Sequence, residues 1–287
     1  MTIERVFIAG AGLMGHGIGQ VHAAIGCRVT LYEPDAARAA AGRDRIAGNL
    51  DRAVAKGKLD AMARDEILGR VATTSNLADA ASADLIVEAV FEDVEVKQAL
   101  WRELDGIAPH GTIFASNTSS ISIDTLASVV APTRRERFVG MHFFSPVPVM
   151  PLVELIRGTA TTDETEATIR DLTNALGKQL IVSADHPGFV VNRILMPLLA
   201  EAMHALEDGT GTAADIDTGA RVGLNHPMGP LELADFIGLD VCLNVMQVLY
   251  DGFGQEHFKP PASLVALVEA GHLGQKTGRG FHTYPRT

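Results

Sequence analysis

The sequence contains few cysteines, no long apolar run and fewer basic than acidic residues. Its 2 cysteines, Cys27 and Cys242, lie far apart and form no Cys-x-x-Cys or Cys/His pattern, so we expect reduced, buried thiols. No apolar run approaches the roughly twenty residues that span a bilayer, and the chain does not start with a charged-then-apolar segment of the secretory type. We therefore expect a cytoplasmic protein with no membrane partner.

The charge balance argues against another class of protein. The chain has 24 Lys and Arg against 35 Asp and Glu, a formal net charge of −11, whereas nucleic-acid binders hold phosphate backbones with clustered Lys and Arg. We expect no nucleic-acid partner, although a local basic patch is compatible with a small anionic ligand. No His-Glu-x-x-His or comparable spacing occurs, so the sequence predicts no metal site.

The N-terminal stretch predicts a nucleotide site. Residues 6–9 form an apolar run typical of a strand buried in a parallel sheet, and Gly10, Gly12 and Gly15 follow in the next turn. Gly10 permits a tight turn, Gly12 lets a pyrophosphate approach the backbone, and Gly15 lets the helix pack closely on the strand. The N–H groups and dipole of that helix favour the negative charge of a pyrophosphate.

The residues after this turn indicate which nucleotide binds. Apolar residues at helical spacing follow (Met14, Ile18, Val21 and Ile25), and a second strand ends just before Glu33. An acid at this position accepts hydrogen bonds from the adenosine ribose and repels a 2′-phosphate, which favours NAD over NADP. An ordinary glycine-rich turn is the alternative. The predicted cofactor-binding residues here are Gly10, Gly12, Leu13, Met14, Gly15 and Glu33.

Strand and helix patterns then alternate as far as residue 182. This order predicts a Rossmann-type, doubly wound, mostly parallel sheet whose ligands bind beyond the carboxyl ends of the strands. Glu92 and residues 117–120 fall at such ends. Only helical patterns follow from Phe189 onward. We expect an NAD-binding domain over residues 1–185 and an all-α domain over residues 186–287.

One histidine is well placed for proton transfer. His142 falls in a predicted strand over residues 138–144, and a short loop leads to a second strand, residues 152–156, that contains Glu154. The two side chains can meet across the gap. A histidine held by a carboxylate is suited to move a proton while NAD exchanges hydride. The alternatives are a structural strand histidine and a solvated glutamate.

Several motifs together carry a resemblance that runs along nearly the whole chain. They occupy residues 10–19, 87–92, 115–120, 142–144, 152–154, 187–193, 226–230 and 278–281. In these the sequence resembles the (S)-3-hydroxyacyl-CoA dehydrogenase family, in particular its short, single-function members of the 3-hydroxybutyryl-CoA type. The resemblance implies NAD-dependent oxidation of a short-chain 3-hydroxyacyl-CoA to the 3-oxoacyl-CoA, and the reverse reaction.

The resemblance also assigns catalytic roles. It implies that His142 is the general base in oxidation and the general acid in reduction, and that Glu154 orients it. Ser119 matches the hydroxyl that bonds the reacting oxygen of the substrate, with a helix N-cap as the alternative. Asn192 matches an active-site amide at the start of the helical domain, with a simple cap as the alternative.

The remaining family contacts concern the cofactor and coenzyme A. The resemblance places NAD contacts at Ala89, Val90, Glu92, Lys97 and Asn117, the last three around the nicotinamide end. From the bare sequence, Glu92 and Lys97 would pass as surface charges. Lys56 and Lys58 fall in the segment that approaches the nucleotide part of coenzyme A. In the family the helical domain closes over the substrate and forms a homodimer.

Two departures from the family pattern keep other readings open. Ser145 stands where the family usually has Asn, and Pro151 stands where many members have Lys. A serine hydroxyl offers a different set of hydrogen bonds from an amide, so the loop beside His142 is expected to shape a different acyl site. One alternative is the same chemistry on a thioester of an acyl carrier protein. Another is an NAD-binding structural or sensor protein without catalysis.

Overall fold

The chain forms two compact units. The computed structural model describes residues 2–285, and the first unit ends at His186 while the second starts at Pro187. This division lies one residue after the boundary that the change of sequence pattern predicts. Each unit has its own hydrophobic core.

The first unit is built around an eight-stranded sheet with the strand order β3-β2-β1-β4-β5-β6-β7-β8. Strands β1 to β6 run parallel, β7 is antiparallel to β6, and β8 is parallel to β7. This architecture confirms the predicted Rossmann-type, mostly parallel sheet. The strands are β1 Arg5–Ala9, β2 Arg28–Tyr32, β3 Val71–Thr74, β4 Leu85–Glu88, β5 Ile113–Ser116, β6 Phe138–Phe143, β7 Leu152–Arg157 and β8 Gln179–Ala184.

Seven helices flank the sheet in the described part of this unit: α1 Leu13–Ala24, α2 Ala36–Ala55, α3 Ala61–Gly69, α4 Val94–Ile107, α5 Ile123–Ala127, α6 Pro132–Arg135 and α7 Asp163–Ala175. Most of these helices start at an N-cap residue whose side chain accepts a hydrogen bond from a backbone N–H of the first turn. These N-cap residues are Asp35, Asp60, Asp93, Ser122 and Thr162. Helix α2 ends at Ala55, and Gly57, just after its C-cap, adopts a positive φ of 66°.

The apolar runs of the central strands explain why they lie inside the sheet. Every residue of β4, β5 and β6 is buried, as expected for parallel strands covered on both faces. Trp101 of α4 stacks on Phe114 with ring centroids 4.8 Å apart and meets Phe138 edge-on at 4.9 Å. These rings fix α4 against one face of the sheet.

The second unit is helical, as predicted. Its helices are α8 Val191–Glu207, α9 Ala213–Thr218, α10 Pro230–Ile237, α11 Leu239–Phe253 and α12 Ala262–Glu269. Its core includes Met196, Leu199, Met203, Leu231 and Leu249. Thr212 caps α9 by accepting a hydrogen bond from the Asp215 N–H.

A buried carboxylate holds the last described residues of this unit. Asp235 of α10 is fully buried and accepts hydrogen bonds from the backbone of Phe281 and His282 and from the Tyr284 hydroxyl. Burial raises the pKa of Asp235 above its usual value. These hydrogen bonds favour the charged carboxylate and offset only part of that increase. The residues near the end of the described chain are therefore part of the folded unit.

No single helix within residues 2–285 is long and apolar enough to cross a membrane. One bent pair, Pro230–Ile237 with Leu239–Phe253, meets the length and composition requirement together, with an angle of 99° between its halves.

A buried histidine of helix α1 links stability to pH. The Nδ1–H of His22 donates to the carbonyl of Ile18 at 2.8 Å, while Nε2 has no hydrogen-bond partner among the described residues. The ring meets Phe143 edge-on at 6.2 Å. Burial lowers the pKa of His22 to about 4, because water no longer solvates the charged ring.

We expect acid to destabilise the fold through His22. The unfolded chain takes up this proton near pH 6.5 and the folded chain only near pH 4, so the stabilisation is complete above the first value and is lost as pH falls towards the second. Between about pH 7.5 and pH 5.5, the free energy of unfolding should fall about 1 kcal/mol further in the wild type than in His22→Leu.

Urea unfolding at both pH values measures this difference. The exposed His110, changed to Gln, is the control and should follow the wild type. An equal pH dependence in the wild type and His22→Leu would contradict a low pKa for His22.

Candidate active site

The glycine turn leaves open space at one position only. A Cβ atom on Gly10 would lie 2.5 Å from the carbonyl oxygen of Ala89, and one on Gly15 would lie 1.7 Å from that of Gly10. Gly10 also has a φ of 106°. A Cβ on Gly12 meets no atom within 4 Å, and α1 starts there without a side-chain cap. This cradle fits a pyrophosphate on the helix N-terminus.

Glu33 lies against the same turn. Its Oε1 accepts a hydrogen bond of 2.9 Å from the Ala11 N–H, and its Oε2 lies 3.9 Å from the Nε of Arg38. Glu33 therefore helps to hold the turn, in addition to its predicted contact with ribose. Leu13 is exposed at the start of α1 and Met14 is half-buried.

The carboxyl ends of β4 and β5 carry a buried ionic network. The ammonium group of Lys97 lies 2.5 Å from Glu88 and 3.2 Å from Glu92, and its side chain is only 1 % exposed. Lys97 is therefore not the surface charge that the bare sequence suggests, whereas the Glu92 side chain is 37 % exposed. The predicted direct contact of Lys97 with NAD stays a prediction.

Glu92 holds the loop that carries Ser119. Its Oε1 accepts hydrogen bonds from the Thr118 hydroxyl at 2.5 Å, the Ser119 N–H at 2.9 Å and the Ser120 N–H at 3.2 Å. Burial raises the pKa of Glu92, but the charge of Lys97 and these hydrogen bonds outweigh burial and leave the pKa below its usual value. Glu92 is thus an anion at neutral pH.

The alternative role of Ser119 as an N-cap is wrong. Ser122 caps α5 instead, accepting a hydrogen bond from the Thr125 N–H, and its own hydroxyl donates to Asp185. Helix α5 therefore starts after Ser122, and Ser119 lies in the loop that precedes the helix.

Asn117 joins two strand ends. Its backbone N–H donates to the carbonyl of Glu88, and its side-chain Oδ1 accepts a hydrogen bond of 2.9 Å from the Phe143 N–H. Because Phe143 follows His142, this amide ties the Ser119 loop to the strand end that carries the histidine. The turn after β4 is also fixed, since Val90 donates its N–H to Glu88 at 2.9 Å.

His142 and Glu154 face each other directly across the antiparallel pair β6 and β7. The Nδ1 of His142 lies 2.8 Å from Oε2 of Glu154, which is fully buried. The prediction that they meet is confirmed, and a solvated Glu154 is excluded. With Nδ1–H donated to the carboxylate, the neutral ring carries its lone pair on Nε2. Such a pair can accept a proton and stabilise the resulting cation.

The other predicted residues belong to the end of helix α2, the turn after it and helix α8. Lys56 is the C-cap of α2 and Lys58 follows two residues later, both exposed. Asn192 is the second residue of α8, in the second unit; it is half-buried and is not the cap, which is Val190.

The loop between β6 and β7 contains Ser145 and Pro151. A buried lysine braces it, since the ammonium group of Lys178 donates to the carbonyls of Val147 at 2.7 Å and Met150 at 2.6 Å. Burial lowers the pKa of Lys178.

Within residues 2–285, no group of three or more His, Cys, Asp or Glu side chains is arranged to hold a metal ion.

Two family models match this chain along almost its whole length. Residues 5–186 match "3-hydroxyacyl-CoA dehydrogenase, NAD binding domain", and residues 188–284 match "3-hydroxyacyl-CoA dehydrogenase, C-terminal domain". The chain belongs to the 3-hydroxyacyl-CoA dehydrogenase family. The suspected family is thus confirmed, and NAD is confirmed as the cofactor of its first unit.

Similar proteins span the full length of this family member. The 3-hydroxybutyryl-CoA dehydrogenase of Bradyrhizobium diazoefficiens is 47% identical over 283 residues, which cover 99% of this chain and 96% of the relative. That of Mycobacterium tuberculosis is 45% identical over 286 residues and 99% of both chains. The crystal structure of (S)-3-hydroxybutyryl-CoA dehydrogenase PaaH1 from Ralstonia eutropha has a TM-score of 0.96, with 44% identity and coverage of 99% and 100%.

We expect substitutions in the glycine turn to separate cofactor binding from folding. Gly12→Ala should keep the melting temperature but bind NADH at least about tenfold more weakly, because its methyl group meets only the space in front of the helix. Gly15→Ala should lower the melting temperature, because its Cβ would overlap the Gly10 carbonyl.

Thermal unfolding and titration of NADH fluorescence measure the two effects. Gly48→Ala in α2 is the control, since a Cβ there meets no atom closer than 3.7 Å. Unchanged NADH affinity in Gly12→Ala would contradict the placement of the pyrophosphate.

Proposed function

We propose that this protein oxidises a short-chain (S)-3-hydroxyacyl-CoA to the 3-oxoacyl-CoA with NAD, and catalyses the reverse reduction. The buried His142–Glu154 pair supports the proposal most strongly, because it places an acid–base group at the carboxyl edge of an NAD-binding sheet. The names of the relatives support the short acyl chain.

His142 moves the proton in this reaction. Its Nε2 accepts the proton of the substrate 3-hydroxyl group as the C3–H bond breaks, and returns a proton to the 3-oxo oxygen in reduction. Glu154, which accepts the Nδ1–H bond at 2.8 Å, fixes the tautomer and stabilises the imidazolium. When it is bound, NAD is the acceptor of the hydride that leaves C3 of the substrate.

The remaining side chains bind and orient. The Ser119 hydroxyl is proposed to bond the reacting oxygen, and the Asn192 amide is proposed to contact the substrate, as the family resemblance implies. The proposed NAD contacts are Gly10, Gly12, Leu13, Met14, Gly15, Glu33, Ala89, Val90, Glu92, Lys97 and Asn117. Glu33 supports a preference for NAD, because its carboxylate lies beside the cradle and would repel a 2′-phosphate.

Interactions outside the reacting centre are also part of the proposal. The exposed Lys56 and Lys58 are suited to the phosphates of coenzyme A, although exposed pairs contribute only about 0–1 kcal/mol each. Ile194 and Leu198 expose apolar surface on α8, which supports a homodimer through the helical unit. We propose a cytoplasmic location, where NAD and acyl-CoA thioesters are both available.

We expect purified protein to oxidise NADH when acetoacetyl-CoA is added, and to use NADPH much less well. His142→Gln should lower kcat about 10²–10⁴-fold, because a positioned proton donor is lost, while NADH affinity stays within about threefold. Absorbance of NADH measures turnover, and fluorescence titration measures binding.

His204→Gln is the matched control, because His204 also pairs with a glutamate, Glu207 at 3.0 Å, but on an exposed helix face. It should retain wild-type turnover. A wild-type protein that binds NADH but reduces no acyl thioester would overturn the proposal in favour of a non-catalytic NAD-binding protein. A His142→Gln enzyme with full activity would overturn only the role of His142.

The second candidate carries the acyl group on an acyl carrier protein, and Ser145 in place of the usual Asn is the observation that favours it. We expect kcat/KM for acetoacetyl-CoA to exceed that for the matching carrier-protein thioester. Parallel assays with both thioesters measure the ratio. A strong preference for the carrier-protein thioester would replace coenzyme A as the proposed carrier.

A further inference from the structure

Glu88 is a buried charge to which neither the family resemblance nor the proposed mechanism assigns a role. It is the last residue of β4, and its side chain is 0 % exposed. A carboxylate at such a position is costly unless every oxygen is paired, because it has lost its hydration. The contacts of Glu88 therefore indicate what it does.

The carboxylate of Glu88 connects three segments. Its Oε1 accepts hydrogen bonds from the Val90 N–H at 2.9 Å and the Lys97 ammonium at 2.5 Å, and its Oε2 accepts one from the Ser116 hydroxyl at 2.6 Å. These donors belong to the turn after β4, to helix α4 and to the end of β5. The Ser116 hydroxyl in turn accepts the Thr118 N–H at 3.2 Å.

The network continues from Glu88 into the loop that holds Ser119. Lys97 lies between the two carboxylates, bonded to Glu88 and 3.2 Å from Oε2 of Glu92. The other oxygen of Glu92 receives the N–H bonds of Ser119 and Ser120. The position of this loop therefore depends on how strongly Lys97 is attracted to Glu88 and how strongly to Glu92.

Loss of the charge on Glu88 changes that balance. The buried ammonium of Lys97 would keep one anionic partner, Glu92, because Glu88 would no longer compete for its charge. Glu92 would be drawn towards Lys97 and away from the backbone of Ser119 and Ser120. The loop would shift although the altered residue contacts neither serine.

We propose that Glu88 is a positioning residue for the Ser119 loop, acting through Lys97 and Glu92 and through Ser116. Its catalytic consequence rests on the proposed function, in which Ser119 bonds the reacting oxygen. The structural part, that Glu88 fixes the loop, is independent of any activity.

The test is Glu88→Gln, which keeps the shape of the side chain and removes its charge. With acetoacetyl-CoA and saturating NADH we expect kcat to fall about 10- to 100-fold, because small displacements of an orienting group have effects of that size. Because Val90, Glu92 and Lys97 are also proposed NAD contacts, NADH is kept saturating, so that weaker cofactor binding does not lower kcat.

Asp105→Asn is the matched control. Asp105 also pairs with a buried cation, Arg134 at 3.0 Å, and also accepts a backbone N–H, that of Ala131. Arg134 donates to the carbonyl of Thr112, at the amino end of β5, so this pair lies at the opposite end of the strand from Ser116. Asp105→Asn should lower the melting temperature about as much as Glu88→Gln does. It should leave kcat within about twofold of the wild-type value.

Amide hydrogen exchange of residues 118–121 supplies a readout that needs no turnover. We expect exchange in this segment to be at least about tenfold faster in Glu88→Gln than in the wild type, and unchanged in Asp105→Asn. The milder Ser116→Ala removes one donor to Glu88 and also the acceptor of the Thr118 N–H. Exchange at residues 119–121, whose amides do not contact Ser116, should therefore accelerate in it to a smaller extent. Ser116→Ala preserves the test if Glu88→Gln does not fold.

The outcomes separate the two proposals. Exchange that stays at the wild-type rate in both Glu88→Gln and Ser116→Ala would overturn the positioning role. A kcat loss in Glu88→Gln no larger than in Asp105→Asn would overturn its catalytic consequence. Absence of turnover in the wild type, with faster exchange in Glu88→Gln, would overturn the proposed function and support the positioning role.

Discussion

Carboxylates without contact to water determine much of the architecture at the carboxyl edge of the sheet. Glu88 and Glu154 are both fully buried. Glu88 is paired with Lys97, and Glu154 is paired with His142. Burial makes these pairs expensive to break, because removal of one partner leaves an uncompensated charge. The strands that carry them are thereby held at defined positions, and the loops beyond the strand ends start from fixed points.

Sheet topology determines which side chains share that edge. Parallel strands β4, β5 and β6 bring their carboxyl ends together, so Glu88, Asn117 and His142 lie near the same rim. Strand β7 runs the opposite way, and its early residue Glu154 therefore pairs with the late residue His142. A further parallel strand would present its carboxyl end there, and a residue as early as Glu154 would lie at the other edge.

The sequence predicts those features that depend on local pattern. Apolar runs identify the strands, glycine spacing identifies the cradle, and the positions of His142 and Glu154 on neighbouring strands are sufficient to pair them. It does not predict the burial of Lys97, because a lysine in the first turn of a helix is usually solvated, and its partner Glu88 lies nine residues earlier. A glutamate ending an otherwise apolar strand is the one sequence signal for this pair.

The antiparallel register of β6 and β7, which keeps Glu154 opposite His142, does not depend on the sequence of the loop between these strands. Side chains alternate along a strand, so a slip of one residue would turn Glu154 to the face opposite His142. Both strands are buried almost throughout, which opposes such a slip irrespective of the loop. Insertions and deletions within residues 144–151 are therefore compatible with an intact acid–base pair. Under the proposed function, this loop is a segment in which evolution or engineering can vary the accepted acyl group without rebuilding the His142–Glu154 pair.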